Sequence, residues 1–134
     1  HSEWENISIL NTVALGDKNG TATMTVPNTT NTGMASLLDE VENRRWVQPG
    51  WNDFPKIKVE TRTLDSYEFE QVDFMKIDVE WFEHKVLQGA LSTIQKHKPI
   101  IYIEIFDYDA YALFLSLGYK CFYAEGMNRL FKYV

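Results

Sequence analysis

The sequence has a single cysteine, no long hydrophobic run and no cluster of basic residues. Because Cys121 has no second cysteine to pair with, the chain can form no internal disulfide, and we expect a cytoplasmic protein. No apolar stretch approaches the roughly 20 residues of a transmembrane helix. The 19 acidic and 13 basic residues give a net charge of −6, and no basic stripe is available to neutralise phosphates. We therefore expect neither a membrane nor a nucleic acid as a partner.

What is present is the composition of a globular domain. Hydrophobic residues make up 45% of the chain and aromatic residues 14%, which excludes a disordered protein. A chain of 134 residues can bury roughly two-thirds of the surface that its unfolded state exposes. We predict one domain over residues 1–134.

Residues 72–90, VDFMKIDVEWFEHKVLQGA, form the most informative segment. Side chains alternate in an extended chain, so Lys76, Asp78 and Glu80 share one face of a predicted strand. From Phe82 onward the apolar residues follow the period of a helix. A buried strand that ends in acidic residues and leads into a helix is the layout in which open α/β sheets build ligand sites.

The next predicted strand, 100–105, also places an acid, Glu104, near its carboxyl end. A helical crossover makes consecutive strands parallel, so we expect Asp78, Glu80 and Glu104 to face one cleft at the carboxyl ends of adjacent strands. Two other interpretations remain open. Asp78 could cap the following helix while pairing with Lys76, or the three carboxylates could hold a hard cation. Nothing in their spacing demands a metal, and we predict none.

Periodicity and turn residues predict seven strands and three helices. The predicted strands lie at about 6–15, 21–26, 57–63, 72–79, 100–105, 119–124 and 129–133, and the helices at about 34–47 (partly helical), 82–97 and 108–117. Residues 27–33 are predicted to form a polar loop, and 48–55 an irregular segment. Asn19-Gly20 is a strong hairpin signal, so the first two strands are predicted to pair. The last two strands are predicted to form a hairpin around 125–128.

Six blocks of this sequence resemble, in the same order, the FkbM-type S-adenosylmethionine-dependent methyltransferases. The blocks are VALGDKNGTATM (13–24), NTGMASL (31–37), VETRTLD (59–65), VDFMKIDVE (72–80), KPIIYIEI (98–105) and LGYKCFYAEGMNRLF (117–131). Residues 38–56 have no counterpart. One block would be a weak match, whereas six in register make a specific one.

The resemblance implies an α/β domain with a partial Rossmann-like methyltransferase fold. Such a domain has a mixed sheet with flanking helices and a C-terminal β-hairpin. The implied activity is transfer of a methyl group from S-adenosylmethionine to a hydroxyl group of a sugar or natural product. The implied partner is therefore a small-molecule or glycan acceptor.

The resemblance also implies roles for residues of the strand–helix unit. Asp78 and Glu80 would line the site as catalytic groups, and His84, one helical turn further on, is a candidate base. A solvated helix position is the alternative interpretation of His84. Lys76, Trp81 and Glu104 are predicted to bind substrate.

The sequence departs from the family pattern in its glycines. The family usually has Gly after the Asp-Val-Glu triplet, where this chain has Trp81. The cofactor signature of the family, an Asp-x-Gly-Ala-x-x-Gly turn, lies upstream of the VALGD block. The glycines of this chain are Gly16, Gly20, Gly33, Gly50, Gly89, Gly118 and Gly126. None has that spacing after a strand, so we expect a truncated gene fragment that binds S-adenosylmethionine weakly and is inactive by itself.

The missing strands also predict association. In the methyltransferase strand order two strands lie between the first strand of this chain and the strand at 72–79. Without them an apolar strand edge is exposed, which invites pairing with another chain. We therefore expect a homo-oligomer, and a non-catalytic interaction module that self-associates through this edge is the alternative function. A metal-dependent carboxylate site of unrelated chemistry is a third hypothesis.

Overall fold

The computed structural model describes residues 11–26, 50, 53–105 and 108–134. Four predicted segments lie wholly or partly outside these residues. They are the strand residues 6–10, the loop 27–33 and the helix 34–47, together with most of the irregular segment before residue 53.

Seven strands and three helices make up the described fold, together with a short 3₁₀ helix. The strands are β1 (Ala14–Leu15), β2 (Gly20–Thr25), β3 (Lys56–Arg62), β4 (Phe74–Ile77), β5 (Ile100–Glu104), β6 (Tyr119–Glu125) and β7 (Asn128–Tyr133). The helices are α1 (Glu83–Gln88), α2 (Leu91–His97) and α3 (Tyr108–Ser116), and the 3₁₀ helix is Leu64–Tyr67. None of these helices has the length and apolar character that a bilayer crossing requires.

The first sheet has three strands in the order β1-β3-β2. β1 runs parallel to β3, and β2 runs antiparallel to it. The predicted hairpin at Asn19-Gly20 is therefore wrong, because β3 lies between the two strands that it was predicted to join. The side chain of Asn19 has a different role: its Oδ1 accepts a hydrogen bond from the Thr63 backbone N–H at 2.9 Å. Asn19 thus fixes the loop after β1 to the end of β3.

The second sheet has the order β4-β5-β7-β6 and carries the acidic residues. β4 and β5 are parallel, with Lys76 opposite Tyr102 and Ile77 opposite Ile103. β7 pairs antiparallel with both β5 and β6. The predicted C-terminal hairpin is confirmed, and the mixed sheets with flanking helices confirm the α/β class. The single mixed sheet of the prediction is two sheets in the structure.

The predicted helix at 82–97 is two helices that are interrupted at Gly89 and Ala90. A Cβ atom added to Gly89 would lie 2.0 Å from the carbonyl oxygen of Gly16, so only glycine permits this approach of the two chain segments. The second helix then starts afresh, because the Asp65 carboxylate accepts hydrogen bonds from the backbone N–H groups of Ser92 at 3.1 Å and Thr93 at 2.8 Å. Tertiary contacts, rather than the apolar period, decide this break.

The core lies between one face of the second sheet and the three helices. Ile77, Ile101 and Ile103 point into it and are buried. Phe114 of α3 stacks on Phe131 of β7 with ring centroids 4.4 Å apart, and burying such a ring stabilises the fold by about 1.5–3 kcal/mol. Because side chains alternate along a strand, this burial turns the intervening residues of β4 and β5 to the other face, where the acidic residues lie.

Candidate active site at the acidic rim

Three carboxylates meet at the carboxyl ends of β4 and β5. Asp78 directly follows β4, and Glu104 is the last residue of β5. One carboxylate oxygen each of Asp78, Glu80 and Glu104 lies within 4.8 Å of the other two. We call this set the acidic rim. The convergence that strand alternation predicted is observed, whereas the catalytic and binding roles of these residues stay predictions.

The rim has an uneven charge distribution. The pKa of the Glu104 carboxyl is raised above its ordinary value, first by burial and then by the negative charge of Asp78 and a hydrogen bond that protonated Glu104 donates to it. The positive charge of Lys76 acts in the opposite direction. Lys76 therefore lies close enough to the rim to moderate its charge. A proton on Glu104 beside an ionised neighbour relieves the repulsion between two adjacent carboxylates.

Glu80 reaches the rim through a tight turn rather than through a continued strand. The turn spans Val79 to Phe82 and is closed by a hydrogen bond from the Phe82 N–H to the Val79 carbonyl at 3.2 Å. Its central residues, Glu80 and Trp81, have φ angles of +44° and +74°. Positive φ at both central positions is typical of a type I′ turn, which favours Gly and Asn. Each strained residue costs about 1–3 kcal/mol.

This geometry explains why glycine suits the position of Trp81. The site requires a left-handed backbone, which glycine adopts without a steric penalty. Tryptophan keeps the same turn at a cost in backbone strain and adds a half-buried indole beside the rim. Its predicted role in substrate binding stays a prediction.

Glu83 is a buried residue next to the rim turn that sequence reasoning missed. It opens α1, is fully buried, and its Oε1 accepts a hydrogen bond from the Trp81 backbone N–H at 3.1 Å. An acid in the first turn of a helix is usually interpreted as a surface residue that complements the helix dipole. The sequence feature that could have identified Glu83 is its position two residues after Trp81, where the family has glycine. From there a carboxylate can reach back to the backbone of the turn.

His84 does not join the rim. The cluster of potential ligand atoms within 4.8 Å of one another consists of the three carboxylates, and the imidazole is not a member of it. Its Nδ1 is buried and makes no hydrogen bond within the described part of the chain. The role of His84 as a base stays a prediction.

A groove of about 420 Å³ adjoins the rim at Lys76 and Asp78. We call it the inter-sheet groove, because Leu15 of β1 lines one side of it and β4 the other. Most of its lining is apolar, and it includes Phe74, which is 57% exposed. Among the described residues, β1 and β4 are each the end strand of their sheet. The groove therefore lies between the end strands of the two described sheets.

The rim suits some ligands better than others. Carboxylates accept hydrogen bonds from hydroxyl groups, take up protons, and attract a cationic sulfonium. The described residues do not supply the glycine turn of an S-adenosylmethionine site. Gly118 follows α3 and Gly126 lies in the β6–β7 turn, so neither opens a helix after a parallel strand. The described residues therefore offer carboxylates at the rim but no glycine cradle for the cofactor.

Comparison with known proteins agrees with the sequence blocks and the fold. The sequence model of one protein family, the methyltransferase FkbM domain, matches residues 3–121. No curated protein and no solved structure gives a match. The family match covers most of the 134 residues and includes the acidic rim, the turn and both helices of the strand–helix unit. The chain therefore belongs to the FkbM methyltransferase domain family.

Proposed function

We propose that the acidic rim is the acceptor side of an S-adenosylmethionine-dependent O-methyltransferase. The substrate class is a small molecule or glycan that presents a hydroxyl group, such as a sugar or natural product. One observation carries the proposal: three carboxylates lie within 4.8 Å of one another at the carboxyl ends of two parallel strands. That is the place where open α/β sheets bind ligands.

In this proposal the chain's own residues orient and deprotonate the acceptor. The Asp78 carboxylate accepts a hydrogen bond from the acceptor hydroxyl and takes its proton as the oxygen becomes a nucleophile. Glu80 and Glu104 hold further hydroxyl groups, and Lys76 limits the negative charge of the rim. Trp81 borders the acceptor with its indole ring. Bound S-adenosylmethionine supplies the electrophilic methyl group.

The test is methyl transfer by the natural gene product that contains these 134 residues. We expect it to move a radiolabelled methyl group from S-adenosylmethionine to an alcohol in a panel of sugars and hydroxylated natural products. Mass spectrometry should find the product heavier by one methylene and methylated at oxygen. Absence of transfer to every hydroxyl acceptor, with the protein folded, would refute the proposal.

A second function, self-association, is favoured by the inter-sheet groove. The Asp73 carbonyl accepts a hydrogen bond from the Ile100 N–H at 2.9 Å. Because main-chain groups alternate sides along a strand, those of Phe74 and Lys76 face away from β5, toward the groove. An extended strand from a second copy of the chain could pair with this edge and cover the apolar lining.

We expect the 134-residue chain to be a dimer or larger at micromolar concentration. Phe74→Lys should shift it toward monomer, since a charged side chain on an edge strand opposes pairing with another strand. Phe122→Lys is the matched control, because Phe122 is 58% exposed on β6, at the opposite end of the sheet. Sedimentation velocity would measure both. A wild-type monomer, or dissociation by Phe122→Lys alone, would exclude association through β4.

A further inference from the structure

We propose that Glu83 is a positioning residue that holds Glu80 in the acidic rim. Its carboxylate is not a member of the cluster that forms the rim. It acts on the turn from Val79 to Phe82, whose left-handed backbone presents Glu80 to Asp78 and Glu104. The expected effect of Glu83 on methyl transfer rests on the proposed function. Its expected effect on the conformation of the turn does not.

The first step is the instability of the turn without outside help. Glu80 and Trp81 both have positive φ, and neither is a residue type that favours this conformation. With negative φ at both positions the chain would form an ordinary type I turn. That change would carry the Cα–Cβ bond of Glu80 to the other side of the turn and move its carboxylate away from Asp78.

The second step is the bond that selects the left-handed form. The Trp81 N–H is directed at Glu83 Oε1 at 3.1 Å, and Glu83 is completely buried. A hydrogen bond in a buried setting is stronger than one on the surface, because the surroundings do not screen it. Glu83 begins α1, and Val86 and Leu87 of the same helix lie in the core. The Glu83 carboxylate, which accepts this hydrogen bond, is therefore anchored to a rigid element.

The third step distinguishes Glu83 from the rim residues that are proposed to contact the methyl acceptor. Glu83 is not among the carboxylates within 4.8 Å of one another. Its loss should therefore affect the reaction only through Glu80. The loss of Glu83 should also lower the reaction rate less when residue 81 is one that adopts positive φ without strain.

The test uses the natural gene product and compares Glu83→Leu with Glu83→Gln. Leucine fills the buried volume without an acceptor, whereas the glutamine carbonyl oxygen can still accept from the Trp81 N–H. We expect Glu83→Leu to speed hydrogen exchange at the Trp81 amide at least tenfold, with the Ile101 and Ile103 amides unchanged. Glu83→Gln should stay within threefold of wild type. Unchanged exchange at Trp81 in Glu83→Leu would overturn the proposal.

Methyl-transfer rates provide the second readout. Glu83→Leu should lower kcat at least tenfold in the wild type but less than threefold when Glu80→Gln is already present, because both changes remove the same group from the rim. Equal losses in both backgrounds would contradict a role through Glu80. Trp81→Gly removes the strain at position 81, although Glu80 keeps its positive φ. In the Trp81→Gly background Glu83→Leu should therefore cost less kcat than in the wild type, and this double variant decides the matter if the single one fails to fold. Since amide exchange needs no turnover, absence of methyl transfer would refute the proposed function and leave the exchange result to decide the role of Glu83.

Discussion

Calorimetry on the 134-residue chain should give a dissociation constant for S-adenosylmethionine above about 1 mM. A micromolar constant needs roughly 8 kcal/mol of binding free energy, and 1 mM needs about 4 kcal/mol. An exposed ion pair between a carboxylate and the sulfonium supplies only ~0–1 kcal/mol. The larger contributions in such folds come from a glycine turn, a helix N-terminus and an acid that binds the ribose. None of the seven glycines of the chain has the spacing of that turn.

S-adenosylhomocysteine is the control ligand for this measurement, because it lacks the methyl group and the positive charge. If the rim supplies the only attraction, the two ligands should differ in affinity by about fivefold or less, which corresponds to ~1 kcal/mol. Asp78→Asn removes one of the three carboxylates of the rim and should then reduce that small difference. A micromolar constant for the isolated chain would contradict the account and would mean that another arrangement of its residues replaces the glycine turn.

The sequence was sufficient to predict the features that depend on the alternation of side chains along a strand and on the order of the elements along the chain. Lys76 and Asp78 were placed on one face because side chains alternate, and the crossover from β4 to β5 made Glu104 their neighbour. Both inferences need only local geometry and the handedness of connections. The C-terminal hairpin was predictable for the same reason, since a short turn joins two strands that are adjacent in sequence. Glu80 lies at the same rim for a different reason, because the chain leaves the strand and enters a left-handed turn.

The features that failed depend on contacts between distant segments. Asn19-Gly20 has the residues of a hairpin turn, yet the bond from Thr63 to Asn19 and the insertion of β3 give it another role. The break at Gly89 depends on its contact with Gly16, which no local period reveals. The left-handed turn at Glu80 and Trp81 contradicts local preference and is held by a buried acid. Local sequence rules are expected to fail at such strained sites.

Asp78→Asn in the natural gene product should lower kcat for methyl transfer by about 100-fold or more. A positioned base typically contributes 10²–10⁴-fold, and asparagine keeps the shape of aspartate without its ability to take a proton. Asp78 is exposed, so the free energy of unfolding should change by only about 0.5 kcal/mol or less. Initial rates with radiolabelled S-adenosylmethionine measure the loss, and thermal unfolding checks the fold.

The most direct test of the rim as a catalytic site compares Asp78→Asn with Asp73→Asn at saturating acceptor and cofactor. Both changes remove one negative charge from an exposed carboxylate at an end of β4, and Asp73 bonds only to Gln71 among the described side chains, at 2.9 and 3.0 Å. The account predicts a kcat near wild type for Asp73→Asn and a loss of about 100-fold or more for Asp78→Asn. A kcat within threefold of wild type for Asp78→Asn, or equal losses in the two variants, would contradict it.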